Sequence, residues 1–193
     1  MFVMKNEKTR RLVAVAMFTA IVIVLQLIGS VIRFGPFSVS LTLIPIVVGA
    51  ALYGPWAGAW LGFVFGAVVL ASGDAAAFLA VNVPGTILTV LIKGSAAGFC
   101  SGLVYRALEN RNRTVATVLA ALTCPCVNTG LFLIGCLLFF LPTVAEWAAA
   151  FGYQNVGLYM ILGLVGGNFI FEVLINMILS PVLIRLIRMG QSD

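Results

Sequence analysis

Long apolar runs separated by short polar stretches form the main pattern along the chain, and they predict membrane-spanning helices. Six such runs cover residues 12–28, 41–53, 55–71, 84–108, 114–141 and 156–188, the second of them being short. A helix rises about 1.5 Å per residue and the hydrocarbon layer is about 30 Å thick, so about 20 apolar residues cross it. The pattern therefore predicts an all-α membrane protein, a single domain of six transmembrane helices over residues 1–193.

Basic residues flank the apolar runs mainly on one side. Four precede the first run within residues 1–11, three surround the turn between the fourth and fifth runs, and two lie near the C-terminus. Among the loops assigned to the other side, Arg33 is the one basic residue. Cytoplasmic loops of membrane proteins are enriched in lysine and arginine. The bias predicts that the N-terminal segment 1–11 and the tail 189–193 are both cytoplasmic.

The composition excludes several classes of protein. With 62% hydrophobic and 9% charged residues, the chain is not a water-soluble domain. The net charge of +5 arises from the loop clusters, so it indicates topology and not nucleic acid binding. Histidine is absent and all four cysteines lie in apolar stretches, so we expect no metal, no cofactor and no enzyme activity. No phosphate-binding loop motif occurs, so any ATP chemistry would need another chain.

Glycines repeat every fourth residue on two of the predicted helices. The first stripe is Gly54, Gly58, Gly62 and Gly66, and the second is Gly94, Gly98 and Gly102. A stripe of small residues lets a neighbouring helix approach closely. We therefore interpret both stripes as packing surfaces and not as ligand sites.

Lys93 is the most informative single residue, because it lies inside an apolar helix. About nine residues from the helix start, it would be roughly 13 Å deep in the membrane, where a charge costs about 2.5–3.5 kcal/mol. Asn128 and Asn168 reach about the same level from two other helices, and Glu172 lies one turn beyond Asn168 on the same face. The cluster predicts an outward-opening cavity for a small polar or anionic molecule. The alternative is a buried Lys93–Glu172 ion pair that only joins helices.

Two further residues could complete the mouth of this cavity. Gln26 lies near the outer end of the first helix, and Arg33 follows in the loop above it. A plain surface location is the alternative for each of them.

For Lys93, we also hypothesise that it pairs with an acidic group of the bound molecule.

Several motifs together resemble a known family. They are Ala16 and Ala20 behind a basic N-terminus, the stretch SLTLIPIVVGAALYGPWAGAWLGFVFG from residue 40 to residue 66, the Asn128-Thr129 step, and the Asn168-x-x-x-Glu172 face. In this order and spacing, over nearly the whole chain, the sequence resembles the substrate-binding S components of energy-coupling factor (ECF) vitamin transporters. Such a subunit is a multi-pass protein of the bacterial plasma membrane.

The resemblance implies a division of labour. The S component binds a vitamin or related micronutrient in an outward-facing pocket, over which the outer loop 33–40 closes. A transmembrane T component and two ATPase subunits then drive release into the cytoplasm. By the same resemblance, Ala16 and Ala20 dock on the T component, whereas packing within the chain is their alternative role.

The substrate stays open at this stage. Lys93 favours a carboxylate-bearing vitamin such as pantothenate, whereas Asn128 and Asn168 would equally suit the ring edge of riboflavin. Two other classes also remain: a stand-alone secondary transporter of a small polar solute, and a membrane scaffold without a small ligand.

Overall fold

The computed structural model describes residues 7–31, 33–34, 37–38 and 41–191, and this part of the chain is almost wholly helical. Its helices are α1 (Glu7–Val31), α2 (Leu43–Tyr53), α3 (Pro55–Ala71), α4 (Ala76–Leu79), α5 (Val83–Leu108), α6 (Arg113–Phe139), α7 (Leu141–Ala150), α8 (Val156–Leu158), a π-helix (Tyr159–Leu164) and α9 (Gly166–Gln191). Two short strands, β1 (Arg33–Phe34) and β2 (Phe37–Ser38), pair antiparallel after α1.

Four helices of the described chain are long and apolar enough to cross a membrane, namely α1, α5, α6 and α9. Helices α2 and α3 are also apolar but shorter, with 11 and 17 residues. The all-helical membrane class is therefore confirmed. The count of six spans and the sidedness of the termini stay predictions.

The two glycine stripes pack against each other in a close seam between α3 and α5. A Cβ atom added at Gly62 would overlap the carbonyl group of Gly94, and one at Gly58 would overlap that of Gly98. The reverse additions, at Gly94 and at Gly98, would overlap the facing carbonyl groups of α3. Backbone therefore touches backbone along the seam, and the interpretation of these glycines as packing residues is confirmed.

Basic residues gather at one end of the bundle. The Arg11 side chain donates a hydrogen bond to the carbonyl of Tyr53, at the end of α2. The following Gly54 has φ +93, and a Cβ atom there would lie 2.7 Å from the Arg106 guanidinium. The start of α1, the α2–α3 turn and the end of α5 thus meet, as expected for loops on one side of a membrane.

Several predicted boundaries were wrong. Helix α1 begins at Glu7 and not at residue 12, because lysine, arginine and glutamate are good helix formers and an apolar run marks only the membrane-facing part. The segments predicted to be outer loops, 72–83 and 142–155, contain α4 and most of α7. The final helix is not continuous from residue 156, since the π-helix interrupts it before α9. Of the predicted tail 189–193, α9 includes the first part, and residues 192–193 lie outside the described residues.

Candidate binding cavity

The N-terminus of α5 fixes the position of Lys93. The Asn82 side chain accepts a hydrogen bond of 2.9 Å from the backbone N–H of Gly85, which caps the helix. From this cap, Thr86, Thr89 and Lys93 follow at helical spacing and line one cavity. Local sequence therefore places the lysine on the inward face of α5, nearly three turns past its start.

The cavity lies between α1, α3, α5, α6 and α9. Its charged and amide side chains are Gln26, Asp74, Lys93, Asn128, Asn168 and Glu172, and its aromatic wall consists of Phe65, Phe78, Phe132 and Phe140. About 650 Å³ of space lies between the protein atoms, part of it open to solvent, but the centre of a water molecule can occupy only about 80 Å³. We call this space the binding cavity. It is narrow, and Lys93 is the one cation among the described residues that line it.

Lys93 and Glu172 line the same cavity, but the ion pair that was one of the sequence-based alternatives is not formed at contact distance. Among the described residues, no oxygen of Glu172 lies within the 4.0 Å limit of its ammonium nitrogen. The Lys93 ammonium instead lies over an aromatic ring, 5.0 Å from the centroid of Phe132. A depth argument could not exclude the pair, because depth says nothing about rotation around each helix axis.

Glu172 and Asn128 carry hydrogen-bonding capacity that the described residues do not satisfy. Oε1 of Glu172 accepts a bond of 3.0 Å from Asn168 Nδ2, and the Glu172 carbonyl accepts one of 2.8 Å from Asn176. Glu172 Oε2 and Asn128 Oδ1 are buried without a partner in the described chain. Each unsatisfied buried acceptor costs about 1–3 kcal/mol, more for a charged group. Such oxygens are well suited to accept bonds from a ligand.

Gln26 lies inside the cavity, so its surface alternative is wrong. It is 1% exposed, donates a hydrogen bond of 2.9 Å to Asp74 Oδ2, and accepts one of 3.0 Å from the Thr42 hydroxyl. These bonds join α1, the segment after α3 and the start of α2. The backbone of Arg33 pairs with Ser38 in the β-hairpin. The Arg33 side chain, and four residues of the predicted closing loop 33–40, lie outside the described residues.

A smaller chamber adjoins the binding cavity. Lys93, Asn128, Phe132 and Asn168 line both spaces, and Thr129 and Val165 complete the smaller one. Val165 lies at the break between the π-helix and α9. π-Helical segments occur frequently at functional sites, since they reorient the residues that follow. Asn168 lies four residues after the end of this π-helix, and its side chain donates a hydrogen bond to Glu172.

Ala16 and Ala20 lie on an exposed face of α1. This argues against packing within the chain as their role. Ala16 also lines a wide surface groove between α1 and α3. The two residues are thus available to another chain.

These features define a helical membrane protein with a polar cavity in its interior, and the comparison with known families gives its class. The family model described as "ECF transporter, substrate-specific component" matches residues 10–184. The chain therefore belongs to the family of ECF transporter substrate-specific components, which confirms the resemblance found in the sequence. It is a multi-pass membrane protein and a transporter component, consistent with the bacterial cell membrane.

A characterised relative narrows the comparison further. The pantothenic acid transporter PanT of Lactococcus lactis subsp. cremoris (strain MG1363) is 29% identical over 207 residues, covering 98% of this chain and 100% of that protein. The similarity thus extends over both chains at nearly full length.

Proposed function

We propose that this chain is the pantothenate-binding S component of an ECF-type importer. The observation that carries the proposal is Lys93, a cation inside the binding cavity with no carboxylate oxygen within 4.0 Å among the described residues. A cation at such a position without a direct ion pair is costly unless nearby charges, a ligand or water compensate it. Family membership and the similarity to PanT support the transport role and this choice of vitamin.

The chemistry of pantothenate complements the cavity. The vitamin carries one carboxylate, one amide N–H and two hydroxyl groups, joined by a flexible chain. Its carboxylate would pair with Lys93, while its N–H and hydroxyl groups would donate to Glu172 Oε2 and Asn128 Oδ1. Its dimethyl carbon would contact the aromatic wall near Phe132.

The charges of the cavity favour one orientation of the proposed vitamin. Asp74 and Glu172 both line the cavity, and each accepts a hydrogen bond from a neutral amide, that of Gln26 or Asn168. A ligand carboxylate near either acid would be repelled, whereas hydroxyl groups there would be bound. We therefore expect the carboxylate to contact Lys93 and the hydroxyl groups to contact Glu172.

The narrowness of the cavity also favours pantothenate over riboflavin. Only about 80 Å³ is available to the centre of a water molecule, so a ligand enters only when side chains or loops move. A flexible chain can thread into such a space, whereas a rigid three-ring system needs a wide slot. We expect the opening to separate Gln26 from Asp74, because this hydrogen bond joins two elements across the cavity.

Delivery across the membrane requires partners in this proposal. A T component would dock on the exposed Ala16 and Ala20, and two ATPase subunits would supply the energy for release. The chain itself would be a bundle of six transmembrane helices with both termini in the cytoplasm. Co-purification tests this arrangement: a stand-alone secondary transporter or a scaffold would bring down neither an ATPase nor a second membrane protein.

The binding proposal is tested by titration calorimetry of the purified protein with pantothenate. Lys93→Met should weaken binding by roughly 30-fold or more, since truncating one partner of a buried charge pair costs about 2–5 kcal/mol. Arg113→Gln is the matched control, because it also removes one cation but lies exposed at the start of α6. Equal affinity in both variants would refute the role of Lys93. Mass spectrometry of released small molecules, with riboflavin in the binding panel, tests the choice of vitamin separately.

A further inference from the structure

A wide groove runs along the outer surface between α1 and α3, away from the binding cavity. One side is a helical stripe of α1 formed by Lys8, Arg11, Leu12, Val15, Ala16 and Thr19, and the other side is formed by Trp56, Ala57 and Trp60 of α3. The centre of a water molecule can occupy about 650 Å³ of it, against about 80 Å³ in the binding cavity. We call this surface the α1–α3 groove. It is open and mostly apolar.

The floor of the groove is held in place by its own contacts. The indole N–H of Trp60 donates a hydrogen bond of 3.1 Å to the Thr19 hydroxyl, which ties α3 to α1. Trp56 is 77% exposed and Trp60 is 50% exposed. Two large aromatic rings therefore present apolar surface beside the groove without a covering element among the described residues. In a membrane, such a space must be filled by a lipid chain or by another protein.

The basic end of the groove indicates the charge of its occupant. Lys8 and Arg11 lie one turn apart on α1, next to the α2–α3 turn. One guanidinium nitrogen of Arg11 donates to the Tyr53 carbonyl, and the planar group has further N–H donors. Glu7 is the neighbouring acid, but within the described residues it forms no ion pair with either cation. Two cations thus lie at the end of an apolar channel.

We propose that the α1–α3 groove binds one anionic phospholipid while the subunit is free of protein partners. The phosphate group would lie at Lys8 and Arg11, and an acyl chain would follow Val15 and Ala16 along the indole of Trp60. Basic residues near a membrane surface attract anionic lipids, and tryptophan is suited to the headgroup boundary. Because Ala16 lies in the same groove, a protein that docks there must first displace this lipid. The proposal does not depend on the identity of the vitamin.

The tryptophans of the chain allow a direct measurement. The chain has three tryptophans, and two of them, Trp56 and Trp60, line the groove. Trp147→Phe would remove the third, which contacts Phe78 in another part of the molecule. In this background, dibrominated phosphatidylglycerol and dibrominated phosphatidylcholine are compared as fluorescence quenchers in mixed micelles. We expect phosphatidylglycerol to bind roughly 30-fold more tightly than phosphatidylcholine, and therefore to reach half-maximal quenching at a correspondingly lower concentration. This factor corresponds to about fivefold for each of the two basic residues.

Paired variants separate a specific site from general attraction to a basic protein. K8Q/R11Q should remove the preference for phosphatidylglycerol, whereas R111Q/R113Q, which removes the same charge from the α5–α6 turn, should leave it intact. Salt at 1 M should also reduce the wild-type preference, which keeps the test valid should the first variant fold poorly. Equal quenching by the two lipids, a preference that survives K8Q/R11Q, or no quenching because protein covers the groove would each overturn the proposal.

Discussion

The α3–α5 seam gives the sharpest test of the fold, through the substitution Gly62→Ala. This change adds one methyl group at a point where the backbone of α3 meets the carbonyl group of Gly94 on α5. The neighbouring atom is backbone, so no side chain can rotate away to make room. The two helices must move apart for the alanine to fit.

The size of the effect follows from two opposing contributions. Alanine in place of glycine favours a helix by about 1 kcal/mol. Overpacking a well-packed contact costs about 1–3 kcal/mol, and a gap of about 0.5–1 Å along the seam loses a quarter to a half of the dispersion energy of each contact there. The facing pairs Gly58–Gly98 and Gly62–Gly94 would both be opened. We expect a net decrease of up to about 2 kcal/mol in the free energy of unfolding, which is the overpacking cost less the gain in helix propensity.

Reversible unfolding in mixed detergent micelles, followed by circular dichroism, would measure this decrease. Gly130→Ala is the matched control, because it lies in a long helix and an added Cβ atom would meet nothing within 4 Å. This control should be neutral or more stable by up to about 1 kcal/mol. If Gly62→Ala is as stable as Gly130→Ala, the two backbones are not in contact and the described seam is wrong.

Three further predictions concern the cavity, the helix cap and the docking face. Gln26→Leu removes the bonds to Thr42 and Asp74, so pantothenate should dissociate roughly tenfold faster in stopped-flow experiments; an unchanged rate would exclude a role in closure. Asn82→Ala removes the cap of α5 and should lower the free energy of unfolding by about 1 kcal/mol, measured in the same micelle assay; no change would mean that the cap contributes nothing. Ala16→Trp should leave pantothenate binding intact and abolish uptake into cells, whereas loss of binding by the purified protein would contradict docking at this face.

Much of the candidate site could be predicted from sequence, because depth along a helix follows directly from residue number. Lys93, Asn128 and Asn168 reach one level on three helices by the fixed rise per residue, and the structure brings them into one cavity with Glu172. Their role in binding stays a prediction. Depth does not define how each helix is rotated, so it could not decide whether Lys93 and Glu172 pair.

Asp74 was missed as a cavity residue for a related reason. It follows α3 in the segment 72–83, which is not one continuous helix. Helical spacing therefore cannot relate its position to that of Lys93. The structure brings it to Gln26 through tertiary packing. The two glycine stripes were the sequence feature that could have indicated this position of Asp74. They predict a close α3–α5 seam, which brings the end of α3 beside the start of α5, where the cavity lies.

The α3–α5 seam also determines which helix can move between the binding cavity and the α1–α3 groove. Helix α3 contributes Phe65 to the binding cavity and Trp60 to the α1–α3 groove, but the seam holds it against α5. Helix α1 also reaches both sites, with Gln26 in the cavity and Ala16 in the groove about 15 Å away along its axis. Helix α1 is more weakly buried than α3: 17% of its most apolar stretch is buried, against nine of the 17 residues of α3. A shift of α1 would therefore cost less than a shift of α3. If the proposed vitamin binding and partner docking hold, α1 is the element through which they would influence each other.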